Sequence, residues 1–417
     1  MDTPSSAAAS APLRVLVVED SLTIRKYLVR LLVRNGLEVA GEAEDGLRAI
    51  TLCRTLRPDV VTMDMILPGV SGLAATEQIM AYSPTPILIV SASINRGEVF
   101  QTYEALAAGA VDVLDKVKLG ETSADWEQRF LAAVRMVARI KVITHPRARL
   151  WPARSFQAPE VSPPLSATPL SAAPLSAGPA QEPAPAPPPF SLPHPTTAPG
   201  EGQIVRSSPD KVDLIAIGAS TGGPAAIAHI LSALPADYPL AILVVLHISE
   251  MFAFGFAEWL STLSPIPARY AVDGEPVPIP GKPQVVLAPA GRHLLLEDGY
   301  LRLKDGPERN SCRPSIDLLF ESMARQPGLR ALLCLLTGMG KDGAAGMLAG
   351  RRAGFQTVAQ DRATSVIFGM PGEAIRMGAA SRVLPLQEIA GQLNLAAAAT
   401  RAQHDDPDGS APRKEIL

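Results

Sequence analysis

D-L-I-A-I-G-A-S-T-G-G occupies residues 213–223 of this 417-residue chain, and Pro224 with an alanine-rich stretch follows it. A short apolar run thus ends in a glycine-rich turn with one serine, Ser220, at its apex. Glycines at 218, 222 and 223 let the backbone turn sharply and approach a ligand closely. Proline suits a first helical position. A helix starting there points its unpaired N–H groups back at the turn. The stretch therefore reads as strand, tight turn and helix start. Such a turn either exposes a nucleophile or holds an anion, and the rest of the chain has to decide which.

The pattern recurs around it. Apolar runs at 241–246, 284–287, 332–336 and 357–359 join 214–217 as expected strands, with helical spacing at 224–234, 256–263, 315–325 and 344–352. A second series lies nearer the N-terminus, with strands at 13–18, 59–63, 87–90 and 111–114 and helices at 21–33 and 126–143. Short apolar strands alternating with helices predict parallel sheets covered on both faces. The fold class expected is α/β, with two doubly wound domains at 13–144 and 211–398. Residues 145–210 are rich in proline, alanine and serine without a periodic apolar face, which predicts a semi-extended linker. Residues 1–12 and 399–417 read as disordered tails.

Composition narrows the function classes. The chain is 47% hydrophobic and 19% charged with a net charge of -3, so no general attraction to nucleic acid or anionic lipid is expected. No basic recognition helix is visible. Three scattered cysteines, Cys53, Cys312 and Cys334, have neither disulfide nor zinc spacing and fit a reducing compartment. The first residues lack a basic region and a long apolar core, and no apolar run reaches membrane-spanning length. A cytoplasmic location without membrane insertion is the expectation.

In open α/β sheets the working groups lie beyond the carboxyl ends of the strands. In the first series those ends present Glu19, Asp20, Asp64, Ser91 and Lys116. Three converging carboxylates repel one another unless a cation joins them, and an oxygen-only set suits Mg2+. A carboxylate beside that ion can attack phosphorus and carry an acyl phosphate, while a lysine and a hydroxyl bind the phosphoryl oxygens. E-D-S at 19–21, D-M-I-L-P-G-V-S-G from Asp64, Ser91, and G-A-V-D-V-L-D-K ending at Lys116 resemble a response-regulator receiver domain, over essentially all of 13–120. The resemblance implies a flavodoxin-like fold. It implies that Asp64 takes phosphate from a CheA-type histidine kinase, and that Glu19, Asp20 and Asp64 hold Mg2+ with the Ile66 carbonyl. Ser91 and Lys116 would read the phosphoryl group. Val117 stands where a proline usually follows the lysine. Val113 stands where an aromatic residue is frequent.

The second series ends its strands on Ser220, His247 and Asp342, the parts of an acyl-transfer triad. Imidazole can take the serine proton near neutral pH, and a carboxylate on its other nitrogen fixes the tautomer. The backbone N–H groups of Thr221 and Met339 are candidate oxyanion donors. G-A-S-T-G matches a short nucleophile-elbow pattern, but the order Ser, His, Asp differs from that of α/β-hydrolases. His247 alone could be a core histidine. Asp273, Asp298, Asp305 and Asp317 compete with Asp342. His229 falls within an expected helix, and His293 on an expected turn.

I-A-I-G-A-S-T-G-G-P, V-V-L-H-I, V-V-L-A-P-A-G-R-H-L, R-P-S-I-D-L-L-F, L-L-T-G-M-G-K-D-G-A-A-G-M and F-G-M-P resemble the CheB methylesterase family through almost all of 211–390. The resemblance implies a Rossmann-like domain with Ser220 as nucleophile, His247 as base and Asp342 as orienting acid. It implies a hydrolase that needs no cofactor for the ester reaction. The substrates would be glutamate γ-methyl esters and particular glutamines of chemoreceptors. The receiver would cover the active site until Asp64 is phosphorylated. His-Ile-Ser at 247–249 departs from the more usual His-[Met/Ile]-Pro. Two other readings stay open: a receptor-binding adaptor without catalysis, and a chemosensory array with an output other than swimming.

Overall fold

A computed structural model describes residues 11–92, 95–116, 123–142, 212–278 and 282–404. The expected linker, the N-terminal ten residues, Val117 and the C-terminal end lie outside the described residues.

The N-terminal domain runs β1 (Arg14–Val18), α1 (Leu22–Arg34), β2 (Glu38–Ala43), α2 (Gly46–Leu56), β3 (Val60–Met63), α3 (Gly72–Tyr82), β4 (Ile87–Ser91), α4 (Arg96–Ala107), β5 (Asp112–Asp115) and α5 (Ser123–Val137). Its sheet is wholly parallel, in the order β2-β1-β3-β4-β5. The flavodoxin-like expectation holds. Every residue of β3 and β4 is buried. That is why both read as unbroken apolar runs: helices cover both faces of a parallel sheet. The β2 strand, E-V-A-G-E-A, lies at the edge with mostly half-buried residues, so no apolar run announces it. Side-chain caps from Asp45, Ser71 and Asn95 start α2, α3 and α4. The last helix begins at Ser123 and ends at Val137, where the spacing predicted 126–143.

The C-terminal domain runs β6 (Leu214–Ala219), α6 (Gly223–Ser232), β7 (Ala241–Leu246), α7 (Glu250–Leu263), β8 (Ala268–Tyr270), β9 (Val285–Leu287), β10 (His293–Glu297), β11 (Tyr300–Lys304), α8 (Ile316–Ala324), β12 (Ala331–Leu335), α9 (Ala344–Arg352), β13 (Gln356–Gln360), α10 (Met370–Arg376), β14 (Arg382–Leu384) and α11 (Leu386–His404). The main sheet is parallel, in the order β14-β13-β12-β6-β7-β9-β8. From β6 the chain winds outward through β7, then returns to the other side of β6 as β12, β13 and β14. Such a reversal opens a crevice at the carboxyl ends of the two strands where winding changes direction, here β6 and β12. In open α/β sheets such a crevice is where ligands bind.

Two expectations are corrected. His293 sits on no turn: it opens β10, is 1% exposed, and its Nδ1 accepts the Ser315 N–H at 3.1 Å. It is a structural histidine in the antiparallel hairpin of β10 and β11. The final helix also continues past 398 to His404.

All of β6 is buried. A Cβ on Gly218, in β6, would fall 2.4 Å from Ile316 Cγ2. The contact brings α8 against the strand that leads into the Ser220 turn. Overpacking of this kind typically costs about 1–3 kcal/mol. Gly218→Ala is therefore expected to lower the urea unfolding midpoint by that much stability; an unchanged midpoint contradicts the packing described.

Candidate functional site

Ser220 follows β6 at the strand crevice. Its amide donates to the Thr337 carbonyl at 3.0 Å, and its own carbonyl accepts from Gly223 N–H at 2.6 Å. Thr337 Oγ1 donates to the Thr221 carbonyl at 3.0 Å, which ties the turn to the loop after β12. The next residue, Gly338, must lack a side chain, because a Cβ there would stand 2.7 Å from Ser220 Cβ. Met339 then lies beside the turn with 63% of its surface exposed. Among the described residues, neither the Thr221 nor the Met339 amide has a hydrogen-bond partner. Two free donors so flank the crevice.

His247 directly follows β7, and its amide donates to the Ala219 carbonyl at 3.0 Å. Its Nε2 pairs with Asp342 Oδ2 at 3.0 Å. Asp342 is 2% exposed and lies at the N-terminus of α8. It accepts from Ile316 N–H at 2.7 Å, Ser315 Oγ at 2.8 Å, Asn310 Nδ2 at 3.1 Å and Asp317 N–H at 3.3 Å. Burial alone would raise this carboxyl, but the bonds from His247, Ile316 and Ser315 outweigh it and hold it down at about 2. Burial pulls the His247 imidazole down, yet Asp342 and then Cys312 push it up to about 9. The pairing favours imidazolium and carboxylate, and a protonated His247 must lose a proton before it can act as a base.

With Nε2 committed to Asp342, the nitrogen left for chemistry is Nδ1. It faces Cys312 Sγ at 3.6 Å, and Ser220 makes no hydrogen bond to it among the described residues. Catalytic hydrogen bonds that are loose at rest commonly tighten when substrate binds.

Cys312 and Asn310 are residues that the sequence reading passed over. They come from one tight turn, closed by paired backbone bonds between Arg309 and Cys312 at 3.1 and 3.0 Å. Asn310 and Ser311 occupy the left-handed region, with φ of 52° and 60°. Strained backbone of this kind persists only where the surroundings enforce it. Here it aims one side chain at Asp342 and the next thiol at His247. The available signal was N-S-C directly ahead of R-P-S-I-D. Of the competing aspartates, only Asp317 reaches the cluster, and it accepts from Asn310 at 2.9 Å. Ser249, in the His-Ile-Ser departure, has a buried hydroxyl without a hydrogen-bond partner among the described residues.

The receiver lies against this site. Tyr103 of α4 is fully buried, its ring 5.0 Å from Trp259 and 5.1 Å from Phe256 of α7. Its hydroxyl donates to the Phe252 carbonyl. Arg96 pairs with Glu258 at 3.3 Å. Thr221 Oγ1, one residue from Ser220, donates to Asp112 Oδ2 of β5 at 2.9 Å. Asp112 retains some accessible surface, but the atoms packed around it push its carboxyl up to about 6.

The receiver's own cluster is compact. Lys116 Nζ stands 2.9 Å from both Glu19 and Asp64, which are 1% and 3% exposed. Asp20 joins them at the surface, and one oxygen from each carboxylate lies within 4.8 Å of the others. Burial raises the Asp64 and Glu19 carboxyls above their usual range. One lysine against three carboxylates leaves negative charge uncompensated, and the all-oxygen set fits Mg2+. Ser91 ends β4 and Lys116 follows β5, so both border the cluster. Among the described residues, no helix is long and apolar enough to cross a membrane.

Comparison with known proteins agrees with this organisation. The model of the response regulator receiver domain matches residues 15–121, and that of the CheB methylesterase matches 215–393. A protein-glutamate methylesterase/protein-glutamine glutaminase of Anaeromyxobacter dehalogenans is 38% identical over 92% of this chain and 97% of its own length. A protein of the same name from Myxococcus xanthus is 38% identical, again over 92% and 97%. One from Geobacter metallireducens is 38% identical over 90% of this chain and 96% of its own.

The raised Asp112 carboxyl has a definite sign. A carboxyl held near 6 in the fold and near 3.8 outside it favours the protonated folded form. Stability is therefore lost as pH rises from about 4 to about 6 and stays lower above. Asp112→Asn keeps an acceptor for Thr221 but cannot ionise. After discounting for solvent screening, we expect it to be about 1–2 kcal/mol more stable than wild type at pH 8 and equal at pH 4. Urea unfolding at both pH values checks this; no gain at pH 8 contradicts it.

Proposed function

The chain belongs to the protein-glutamate methylesterase/protein-glutamine glutaminase family, and on that premise we propose that it hydrolyses glutamate γ-methyl esters of chemoreceptors, releasing methanol, and deamidates receptor glutamines. The observation that carries the reading is the His247–Asp342 pair, 3.0 Å apart, at the strand crevice that also holds the Ser220 turn.

In this reading Ser220 Oγ attacks the ester carbonyl carbon, and its proton passes to His247 Nδ1. The carbonyl oxygen, now an oxyanion, accepts from the Thr221 and Met339 amides. As the tetrahedral intermediate collapses, Nδ1 returns the proton to the departing methoxide, and methanol leaves an acyl-Ser220. Water then gives its proton to Nδ1 and attacks the acyl carbon, releasing glutamate and restoring the serine. A glutamine side chain follows the same course with ammonia as leaving group. Asp342 stays ionised and stabilises the imidazolium.

Regulation enters through Asp64. Its carboxylate takes the phosphoryl group from a phosphohistidine of a CheA-type kinase. Glu19, Asp20 and Asp64 would hold Mg2+, which when bound would neutralise charge on that group. Lys116 and Ser91 bind the phosphoryl oxygens. Lys116 then has a new anion to pair with, and its present bonds to Glu19 and Asp64 change. The α4–β5 face that holds Tyr103 and Asp112 against the second domain loosens, and the Ser220 turn becomes accessible. Such a protein acts in the cytoplasm, on the receptor segments exposed there.

Ser220→Ala removes the nucleophile and leaves the receiver untouched. Methanol release from methylated receptor membranes is expected to fall at least ~1000-fold, while Asp64 still accepts phosphate from a phosphodonor. Retained methanol release in this variant ends the proposal.

A further inference from the structure

The thiol beside His247 has no part in the chemistry above. Cys312 Sγ and His247 Nδ1 are 3.6 Å apart. Two ligands of one tetrahedral zinc ion, at roughly 2.3 Å for sulfur and 2.1 Å for nitrogen, stand about 3.5 Å apart. The pair is therefore spaced for a shared ion. The opposite ring nitrogen already carries the partner that metal-bound histidines usually have, a carboxylate that fixes the tautomer: Asp342 holds Nε2 at 3.0 Å. Asp342 itself is saturated by bonds from His247, Ile316, Ser315 and Asn310, so it serves as the outer partner, not as a direct ligand.

The geometry is held rather than accidental. His247 is fixed at the end of β7, while Cys312 is set by the left-handed turn at Asn310 and Ser311. His247 retains 14% of its side-chain surface and Cys312 is half-buried, so an ion can reach both. The other two thiols, Cys53 and Cys334, are fully buried.

We propose that His247 Nδ1 and Cys312 Sγ form a binding site for a thiophilic divalent cation such as Zn2+, completed by water, and that its occupancy blocks the base of the ester reaction. Binding replaces the thiol proton and the proton on Nδ1 of the imidazolium by the metal, and both protons are released to solvent. Nδ1 then has no lone pair for the Ser220 proton. The site differs in kind from the oxygen-only cluster of the receiver, which suits hard cations.

The test uses the full-length reduced protein and has a readout independent of esterase activity. Titration with Co2+ is expected to give a thiolate-to-cobalt absorption band in the near ultraviolet at one ion per chain. The band is expected to be lost in Cys312→Ser, and Asp342→Asn to weaken binding by about 10–100-fold. Zn2+ is expected to inhibit ester hydrolysis at micromolar concentration in wild type. In Cys312→Ser, measured against its own zinc-free rate, inhibition should require at least ~10-fold more. Absence of the cobalt band in wild type, or equal zinc sensitivity of the two proteins, overturns the proposal. Should Cys312→Ser fold poorly, alkylation of Cys312 in wild type serves instead, with Zn2+ expected to slow it; an unchanged alkylation rate counts against the site.

Discussion

A carboxylate buried without partners costs several kcal/mol, and Asp342 avoids that cost only by drawing distant segments together. It collects hydrogen bonds from the first turn of α8, from Asn310 in the strained turn ahead of it, and from His247 at the end of β7. The N-terminal end of a helix is itself favourable for negative charge. Each of those bonds also fixes the group that makes it. The imidazole is thereby held with Nε2 toward the carboxylate and Nδ1 toward Cys312. The close approach of Gly218 to Ile316 carries the same constraint back into β6 and hence to the Ser220 turn.

The second constraint comes from the receiver. An apolar face built on Tyr103 packs against Phe256 and Trp259, and one hydrophobic cluster includes residues of both domains. At its edge the Asp112–Thr221 bond touches the residue next to Ser220. The same β5 strand leads directly into Lys116, which pairs with Asp64. Asp64, proposed to accept phosphate, and the candidate nucleophile are therefore linked through one short strand. A change in what Lys116 binds can reach Thr221 without any long relay.

Most of the fold was legible because buried parallel strands write themselves as apolar runs. β1, β3, β4, β6, β7 and β12 are such runs, and the polar residues that follow them supplied the site candidates. β2 was not legible, because an edge strand with half-buried residues carries no such run. The β10–β11 hairpin was passed over although E-D-G-Y marks its turn, with Asp298 and Gly299 both at positive φ. His293 was misplaced for the same reason. In the site, Ser220, His247 and Asp342 could be nominated from strand ends, and the structure brings the last two into contact. Asn310 and Cys312 could not, since their placement depends on two successive left-handed non-glycine residues, Asn310 and Ser311, which no local pattern announces. Nor could the Asp112–Thr221 bond, which depends on how the two domains pack.

The central claim is that chemistry at Asp64 controls access to Ser220. The most direct measurement is methanol release from methylated receptor membranes by the full-length protein, with and without a small-molecule phosphodonor and Mg2+. The account predicts a higher rate with the phosphodonor in wild type and no increase in Asp64→Ala. Equal rates in wild type under the two conditions would contradict it.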